Sequence, residues 1–243
     1  MVEKESHLAA ALHAAYGLPE AKLRRVLGGQ TTVNYAGTAG GRPVFAKQYL
    51  PGVDLHAEEA AIELSEFAAG HGVPTARVVR TISGSAIHPC GEAGFSVWEF
   101  VAGEPGGGVA MGSRRMAAVG HVVGGLHRVL AGHPMAQAVI GPAAVVCDVA
   151  RSARRFERML AEVSRASDPD EFLDWAADVL RWRLSIVPRV ADMLAGLPPL
   201  TSQIVHGDLA SPNVLFSGDD VAALIDFRPP RARPVAWELS RIG

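Results

Sequence analysis

The order of apolar and polar positions predicts that the first hundred residues are rich in strands. A helical repeat opens the chain and ends at Gly17. Strand-like alternation then surrounds a glycine loop and a tight turn. The predicted elements are helices over 6–16 and 55–69, and strands within 25–48, near 77–81 and over 94–101. We expect residues 1–101 to form a small β-rich lobe.

Helical periodicity dominates after a glycine-rich, turn-like stretch at 102–108. One helix is predicted to begin at Asp168 as N-cap, with Pro169 at its first position and Glu171 completing a capping box. The other predicted elements are helices over 111–130, 150–164 and 185–194, and short strands at 203–205 and 221–225. The pattern indicates an α+β protein whose larger, mostly helical lobe covers residues 102–243.

Composition narrows the possible classes of function. The chain has 243 residues, 49% hydrophobic and 20% charged, as expected for a globular protein. Its net charge of −2 disfavours nucleic acid or an anionic membrane as a partner. Cys90 and Cys147 are far apart and lack metal-ligand spacing, which suits a reducing cytoplasm. No apolar run is long enough to predict a membrane span.

The stretch from His206 to Phe227 carries the strongest chemical signal. Asp208 lies five residues before Asn213, and Asp226 follows thirteen residues later at the end of an apolar, strand-like run. Phosphoryl transfer from ATP requires one carboxylate facing the attacking hydroxyl, with an amide oxygen and a second carboxylate holding Mg²⁺. A turn aspartate capping its own backbone would explain Asp208 alone, but not the three residues at this spacing.

This motif is similar to the catalytic loop and metal-binding aspartate of protein kinases. Its His206-Gly207-Asp208 opening, and the absence of glycine after Asp226-Phe227, resemble the aminoglycoside phosphotransferase family and its choline-kinase-like and homoserine-kinase-like relatives. The resemblance spans about residues 26–239. It implies a two-lobed, protein-kinase-like fold that binds ATP and Mg²⁺ in a cleft. It also implies transfer of the γ-phosphoryl group to a hydroxyl of a small molecule, such as an aminoglycoside or another antibiotic.

By the same resemblance, Asp208 orients or deprotonates the acceptor, while Asn213 and Asp226 bind the metal. His206 is expected to brace the loop without a chemical step, and Lys47 to contact the α and β phosphates. An acidic partner for Lys47 is expected on the helix that follows. Glu58, Glu59 and Glu63 are all available, and Glu59 is preferred because it precedes the apolar Ala60-Ala61-Ile62.

Two backbone segments complete the expected nucleotide site. Gly28 and Gly29 would let N–H groups approach the phosphates, although a plain hairpin turn also explains a Gly-Gly pair. The carbonyl of Glu99 and the N–H of Val101 would pair with the adenine edge, although an ordinary buried strand also fits this segment. His127 is expected to pack structurally.

The chain also departs from the family pattern. Glu238-Leu239-Ser240 stands where an Asp-Leu-Ala is usual, so Glu238 is expected to steady the catalytic loop in place of that aspartate. Family members usually carry further helices beyond the point matching Gly243, and these line the acceptor pocket. The alternative interpretation is a nucleotide-binding pseudokinase or scaffold. The acids between 168 and 178 are explained by helix capping, and the acceptor is left open.

Overall fold

A mostly antiparallel sheet forms the N-terminal part of the computed structural model, which describes residues 2–29, 31–91, 93–107, 111–136, 138–142, 146–168 and 170–242. The strands lie in the order β1-β2-β3-β6-β4, and β5 pairs with β6. The helices here are α1 (Val2–Tyr16) and α2 (Leu55–Gly70). The strands are β1 (Lys22–Val26), β2 (Thr32–Ala39), β3 (Arg42–Tyr49), β4 (Val78–Val79), β5 (Ile87–Cys90) and β6 (Ala93–Glu99).

The C-terminal part combines helices with two small three-stranded sheets, ordered β11-β10-β7 and β12-β9-β8. Its helices are α3 (Ser113–Ala131), α4 (Val149–Val163), α5 (Glu171–Ala195) and α6 (Val235–Leu239). Its strands are β7 (Glu104–Pro105), β8 (Val139–Gly141), β9 (Leu200–Ile204), β10 (Val214–Ser217), β11 (Asp220–Leu224) and β12 (Ala232–Pro234). The predicted α+β class is confirmed. The boundary at 101/102 stays a prediction, consistent with an N-terminal sheet that ends at Glu99.

Helix α5 differs from the prediction. Asp170, not Asp168, is its N-cap, because the Asp170 side chain accepts a hydrogen bond from the N–H of Leu173 at 2.8 Å. Pro169 lies outside the described residues. The two helices predicted on either side of residue 185 are one helix, since the helical repeat continues through Pro188. A proline inside a helix removes one backbone hydrogen bond and usually bends the axis, yet here it does not end the helix.

Two hydrophobic clusters lie under the N-terminal sheet and under the segment that carries Asp208. In the first, Leu8, Leu12 and Tyr16 recur once per turn of α1 and pack under the N-terminal sheet. In the second, α3 buries Val119, Val123, Leu126 and Leu130 at helical spacing. This second cluster also includes residues of α2 and of the segment 204–227: Leu64, Ala68, Leu209, Val214, Phe216, Leu224 and Phe227. Burial of each large apolar side chain stabilises the folded state by about 1.5–3 kcal/mol. The packing of this cluster therefore holds the segment that carries Asp208 in place.

The lobes also touch through the backbone. Leu224 N–H donates to the carbonyl of Pro74 at 2.9 Å, and Thr75 forms a bridge with Leu224. The segment after α2 is thereby tied to the strand that precedes Asp226. Among the described helices, none has both the length and the apolar character needed to cross a membrane.

Candidate active site

His206 anchors the loop that carries Asp208. Its ring is fully buried and lies 4.2 Å from the ring of Phe227. Nε2 lies 2.9 Å from the carbonyl oxygen of Ile225, and Nδ1 accepts from the N–H of Asp208 at 3.3 Å. Nδ1 is thus the acceptor, so the proton of the neutral ring is on Nε2, which donates to Ile225. Burial lowers the pKa of His206 to about 4. The bracing role predicted for His206 is confirmed.

Glu238 holds the start of the same loop. Its side chain is fully buried and accepts hydrogen bonds from the N–H groups of His206 at 3.1 Å and Gly207 at 2.7 Å. Its Oε2 also pairs with His127 Nε2 at 2.9 Å. The expected role of Glu238 is therefore confirmed. His127 does more than pack, because it orients the carboxylate that holds the loop.

Gly207 is required by its surroundings. Its φ is +88°, a conformation that favours glycine, and a Cβ there would lie 2.8 Å from Cβ of Arg228. The absence of a side chain at Gly207 lets the segment after Phe227 pass directly over the loop. Arg228 is thereby brought beside Asp208.

Asp208 is held by two arginines. Its Oδ2 accepts from Arg228 Nη2 at 3.1 Å, and its Oδ1 accepts from Arg241 Nη2 at 2.6 Å. The Asp208 side chain is 26% exposed, so solvent and substrate can still reach it. Neither arginine was expected from the sequence. The available signal was a local excess of arginine, with four between positions 228 and 241 and one acidic residue, Glu238.

Asn213 makes hydrogen bonds to the backbone of Asp208 and of Ile225, the residue before Asp226. It ends a one-turn 3-10 helix, Ser211–Asn213, and its Nδ2 donates to the Asp208 carbonyl at 2.8 Å. Its own carbonyl accepts from the N–H of Ile225 at 3.0 Å, because β10 and β11 pair with Val214 opposite Leu224. Oδ1 of Asn213 accepts no hydrogen bond from the described residues, and it is an oxygen of the type that Mg²⁺ prefers.

Asp226 leaves the end of β11 in a strained conformation. Its φ is +63°, uncommon for a residue with a side chain and a feature that clusters at functional sites. The carboxylate is 44% exposed and forms an ion pair with Nζ of Lys47 on β3. Lys47 in turn lies 5.5 Å from the centre of the Trp98 ring. Lys47 and Asp226 are thus brought together from opposite lobes.

Both residues line one cavity between the lobes. Its walls are largely apolar and come from β3, α2, β6 and β11, and they include four charged residues. An apolar pocket with a few polar groups is typical of a nucleotide or small-molecule site. The apolar lining comprises Phe45, Tyr49, Ala61, Ile62, Leu215, Leu224 and Phe227, and the charged lining comprises Lys47, Glu58, Glu99 and Asp226.

Of the three candidate acids on α2, Glu58 is the one that lines the cavity together with Lys47. Glu58 lines the cavity, and burial raises the pKa of its carboxyl against the opposing charges of Lys47 and Arg228. Glu59 and Glu63 lie on the side of α2 that faces Arg80, whose pKa is raised mainly by its hydrogen bond to Glu66. The cavity lining does not include Glu59 among the described residues. The preference for Glu59 stays a prediction that this geometry does not support.

The expected hinge borders the same cavity. Glu99 and Val101 both line it. The N–H of Glu99 donates a hydrogen bond to the carbonyl of Arg77 at 2.8 Å. Within the described chain, the N–H of Val101 has no backbone acceptor. That group is thus available to a ligand, as the expected adenine contact requires.

The glycine loop meets the cavity through Asn34. Gly28 and Gly29 have φ values of +113° and +88°, and a Cβ on Gly29 would lie 2.5 Å from Thr32 Oγ1. Asn34, which lines the cavity, donates to the Gly28 carbonyl at 3.2 Å. The loop is therefore tied to the cavity edge, although neither glycine lines the cavity itself.

Solved structures of several phosphotransferases share this architecture. A spectinomycin phosphotransferase in complex with ADP and spectinomycin matches with a TM-score of 0.74 and 14% identity, over 98% of this chain and 73% of that one. An amicoumacin kinase with AMP-PNP and Ca²⁺ matches with a TM-score of 0.63 and 13% identity, over 100% of this chain and 68% of that one. A macrolide 2′-phosphotransferase from Brachybacterium faecium matches with a TM-score of 0.62 and 18% identity, over 98% of this chain and 76% of that one. The predicted two-lobed, kinase-like fold is confirmed.

The sequence itself places the chain within this class. The model of the phosphotransferase enzyme family (APH) matches residues 22–242, so the chain belongs to that family. The resemblance inferred from the 206–227 motif is therefore confirmed, and the protein is a kinase-type phosphotransferase. No curated protein sequence matches it significantly.

Proposed function

We propose that the protein transfers the γ-phosphoryl group of ATP to a hydroxyl of a small molecule. The observation that carries the proposal is the convergence of Lys47, Asn213, Asp226 and Asp208 around one cleft. Lys47 and Asp226 line the cavity and form an ion pair. Asn213 contacts both the strand that precedes Asp226 and the backbone of Asp208. Solved structures with this fold contain ADP, AMP or AMP-PNP, which supports a nucleotide ligand.

Each side chain has a defined task in this reaction. Lys47, with Glu58 beside it, orients the phosphates, and the Val101 N–H meets the adenine edge. Asn213 and Asp226 offer an amide oxygen and a carboxylate, a donor set that fits Mg²⁺. When bound, Mg²⁺ neutralises charge on the phosphates. The apolar walls exclude water around the base.

Asp208 acts on the acceptor. The acceptor oxygen forms a bond to the γ-phosphorus while the bond to the β,γ-bridging oxygen breaks, so ADP leaves. Asp208 orients the hydroxyl and takes its proton. Positioning and charge neutralisation account for the rate, without a covalent enzyme intermediate. Antibiotics with a free hydroxyl belong to the possible acceptors, since solved relatives of this fold are named for spectinomycin and macrolides.

One observation favours a second candidate, a nucleotide-binding scaffold without transfer. Both oxygens of Asp208 are engaged by arginines, which compete with an incoming hydroxyl. A carboxylate has about four acceptor positions, however. Two arginine hydrogen bonds therefore leave room for a substrate hydroxyl, and we give the enzyme precedence.

Thermal unfolding with ATP or GTP, with and without Mg²⁺, tests the proposal on the native chain and on Asp226→Ala. We expect a Mg²⁺-dependent rise in Tm that the variant loses. At a ligand concentration of about 100 times Kd, the stabilisation is about 2.7 kcal/mol. Asp178→Ala, a substitution of an exposed aspartate on α5, is the matched control and keeps the rise. A native chain with no rise contradicts the proposal. A rise without transfer to any acceptor favours the scaffold.

A further inference from the structure

We propose that the acceptor carries an anionic group, a carboxylate or a phosphate, in addition to its reacting hydroxyl, and that Arg228 and Arg241 bind this group. The inference rests on the proposed function, because it assigns the substrate class of the same site. It begins from the two arginines that contact Asp208. A hydroxyl that reaches Asp208 necessarily lies beside both guanidinium groups.

The charges at this point do not balance. Asp208 supplies one negative charge, while Arg228 and Arg241 supply two positive charges at 3.1 and 2.6 Å. On the proposed nucleotide side, Lys47 faces both Asp226 and Glu58, and Glu58 also attracts Arg228. Among the groups in direct contact with Asp208, positive charge is in excess by one even with Asp208 ionised, although Glu58 opposes part of the charge of Arg228. An anionic group on the substrate would balance that charge.

The arginines also have unused hydrogen-bonding capacity. A guanidinium has five N–H donors, and the described residues accept one hydrogen bond from Arg228 and one from Arg241. The two side chains are 55% and 36% exposed, so a ligand can reach them. The planar donor fork of arginine matches carboxylate and phosphate oxygens in a bidentate arrangement.

The surrounding surface is positive as well. Arg231 lies near Arg233, and burial together with this like charge lowers the pKa of Arg233. Arg233 and Arg241 both lie over the ring of Trp237, at 5.3 and 5.2 Å from its centre, a contact that orients them. The one acidic residue of the segment 227–242, Glu238, is buried and bound to loop N–H groups.

This surface selects against polycations. The whole chain carries a net charge of −2, so the local excess of arginine is not a general property of the protein. Like charges brought together in a binding site are strongly unfavourable and suppress the wrong partners. A polycationic acceptor would place its ammonium groups against the arginines. A hydroxy acid or a phosphorylated alcohol would instead place its anion on them.

Ligand-observed NMR with charge-matched probes tests the inference. Gluconate is compared with gluconamide, and glycerol 3-phosphate with glycerol, each added to the native chain with Mg²⁺ and AMP-PNP. Kanamycin serves as the polycation. The variants are Arg241→Met and Arg241→Lys, with Arg181→Met on exposed α5 as the matched control. The two probe pairs distinguish a carboxylate from a phosphate.

We expect the anionic member of at least one pair to bind and its neutral partner to bind much more weakly. Arg241→Met should weaken the anion by about tenfold or more, equivalent to about 1.4 kcal/mol. Arg241→Lys should retain part of the affinity, and Arg181→Met all of it. If an anionic acceptor is turned over, Arg241→Met should raise its KM without raising the KM for ATP. Equal binding within both pairs, preference for kanamycin, or an unchanged Arg241→Met variant overturns the inference.

Failure of the proposed function gives a different result. A chain that binds no nucleotide, or transfers nothing, contradicts the enzyme assignment in the thermal and transfer assays. Anion binding is also measured without nucleotide. If an anion binds there and Arg241→Met abolishes it, the anion site stands by itself while the phosphotransferase reaction does not.

Discussion

The two sides of the cleft are each organised around one aspartate, but they balance its charge differently. On the side proposed to bind the nucleotide, Asp226 pairs with Lys47 next to an apolar cavity. On the acceptor side, Asp208 is held by Arg228 and Arg241 on a surface with little acidic charge. Lys47 also faces Glu58, so a bound metal and phosphates would meet charges of both signs on that side. An unbalanced cluster suits recognition of a substrate.

A buried layer separates these two exposed clusters. His206 and Glu238 are both fully buried, and each contacts the backbone around Asp208 or Asp226 rather than a solvent-facing group. The exposed groups are those proposed to act on the ligands, and the buried groups hold the backbone of the loop in place. Substitutions in the two exposed clusters should affect different kinetic constants, whereas substitutions in the buried layer should affect both.

The largest effect is expected for Asp208→Ala. General acid–base contributions are about 10²–10⁴-fold, so transfer should fall by about that factor while nucleotide affinity stays near the native value. Initial rates and nucleotide titrations measure the two quantities. Asp178→Ala on α5 controls for loss of a surface carboxylate. Near-native turnover of this variant would show that Asp208 does not act on the acceptor hydroxyl.

Glu238→Ala tests the buried layer. It leaves the N–H groups of His206 and Gly207, and the His127 ring, without their buried acceptor. Unpaired buried polar groups cost about 1–3 kcal/mol each, so we expect the free energy of unfolding to fall by about 3 kcal/mol or more in urea. Glu238→Gln, which retains one acceptor oxygen, should lose less. Equal losses in both variants would contradict the hydrogen-bonding role.

Acidification tests the same layer through His206. Its folded pKa of about 4 lies below the unfolded value of 6.5, so the unfolded chain binds the proton first. Stability is fully present above about pH 6.5 and is lost as the pH falls toward 4, by up to about 3 kcal/mol. Urea midpoints across this range should fall more for the native chain than for His206→Gln. The exposed His71→Gln should follow the native chain, and matching curves for all three would refute the assignment.

The smallest effect separates two neighbouring acids on α2. Glu58→Gln should raise the KM for nucleotide by about tenfold, corresponding to about 1.4 kcal/mol, because Glu58 lines the cavity beside Lys47. Glu59→Gln is the matched control and should leave KM close to native. If Glu59→Gln raises this KM and Glu58→Gln does not, Glu59 is the partner of Lys47, as expected from the sequence.

The sequence by itself determined the family, the α+β class and the order of most elements. The 206–227 motif could be recognised because its three polar residues lie within one loop and one hairpin, where spacing and geometry are closely coupled. Local patterns also located β1 to β3 and helices α1 to α4. The start of α5 was placed two residues early because Asp168 and Asp170 are both good N-caps, and only the folded backbone selects between them.

Tertiary structure alone decided which side chains complete the site. Glu58 and Glu59 are adjacent in sequence but about 100° apart around α2, so the packing of that helix selects the one that faces Lys47. Arg228 and Arg241 reach Asp208 from 20 and 33 residues away, and His127 meets Glu238 across 111 residues. Such contacts depend on where loops end in three dimensions, which no local periodicity specifies.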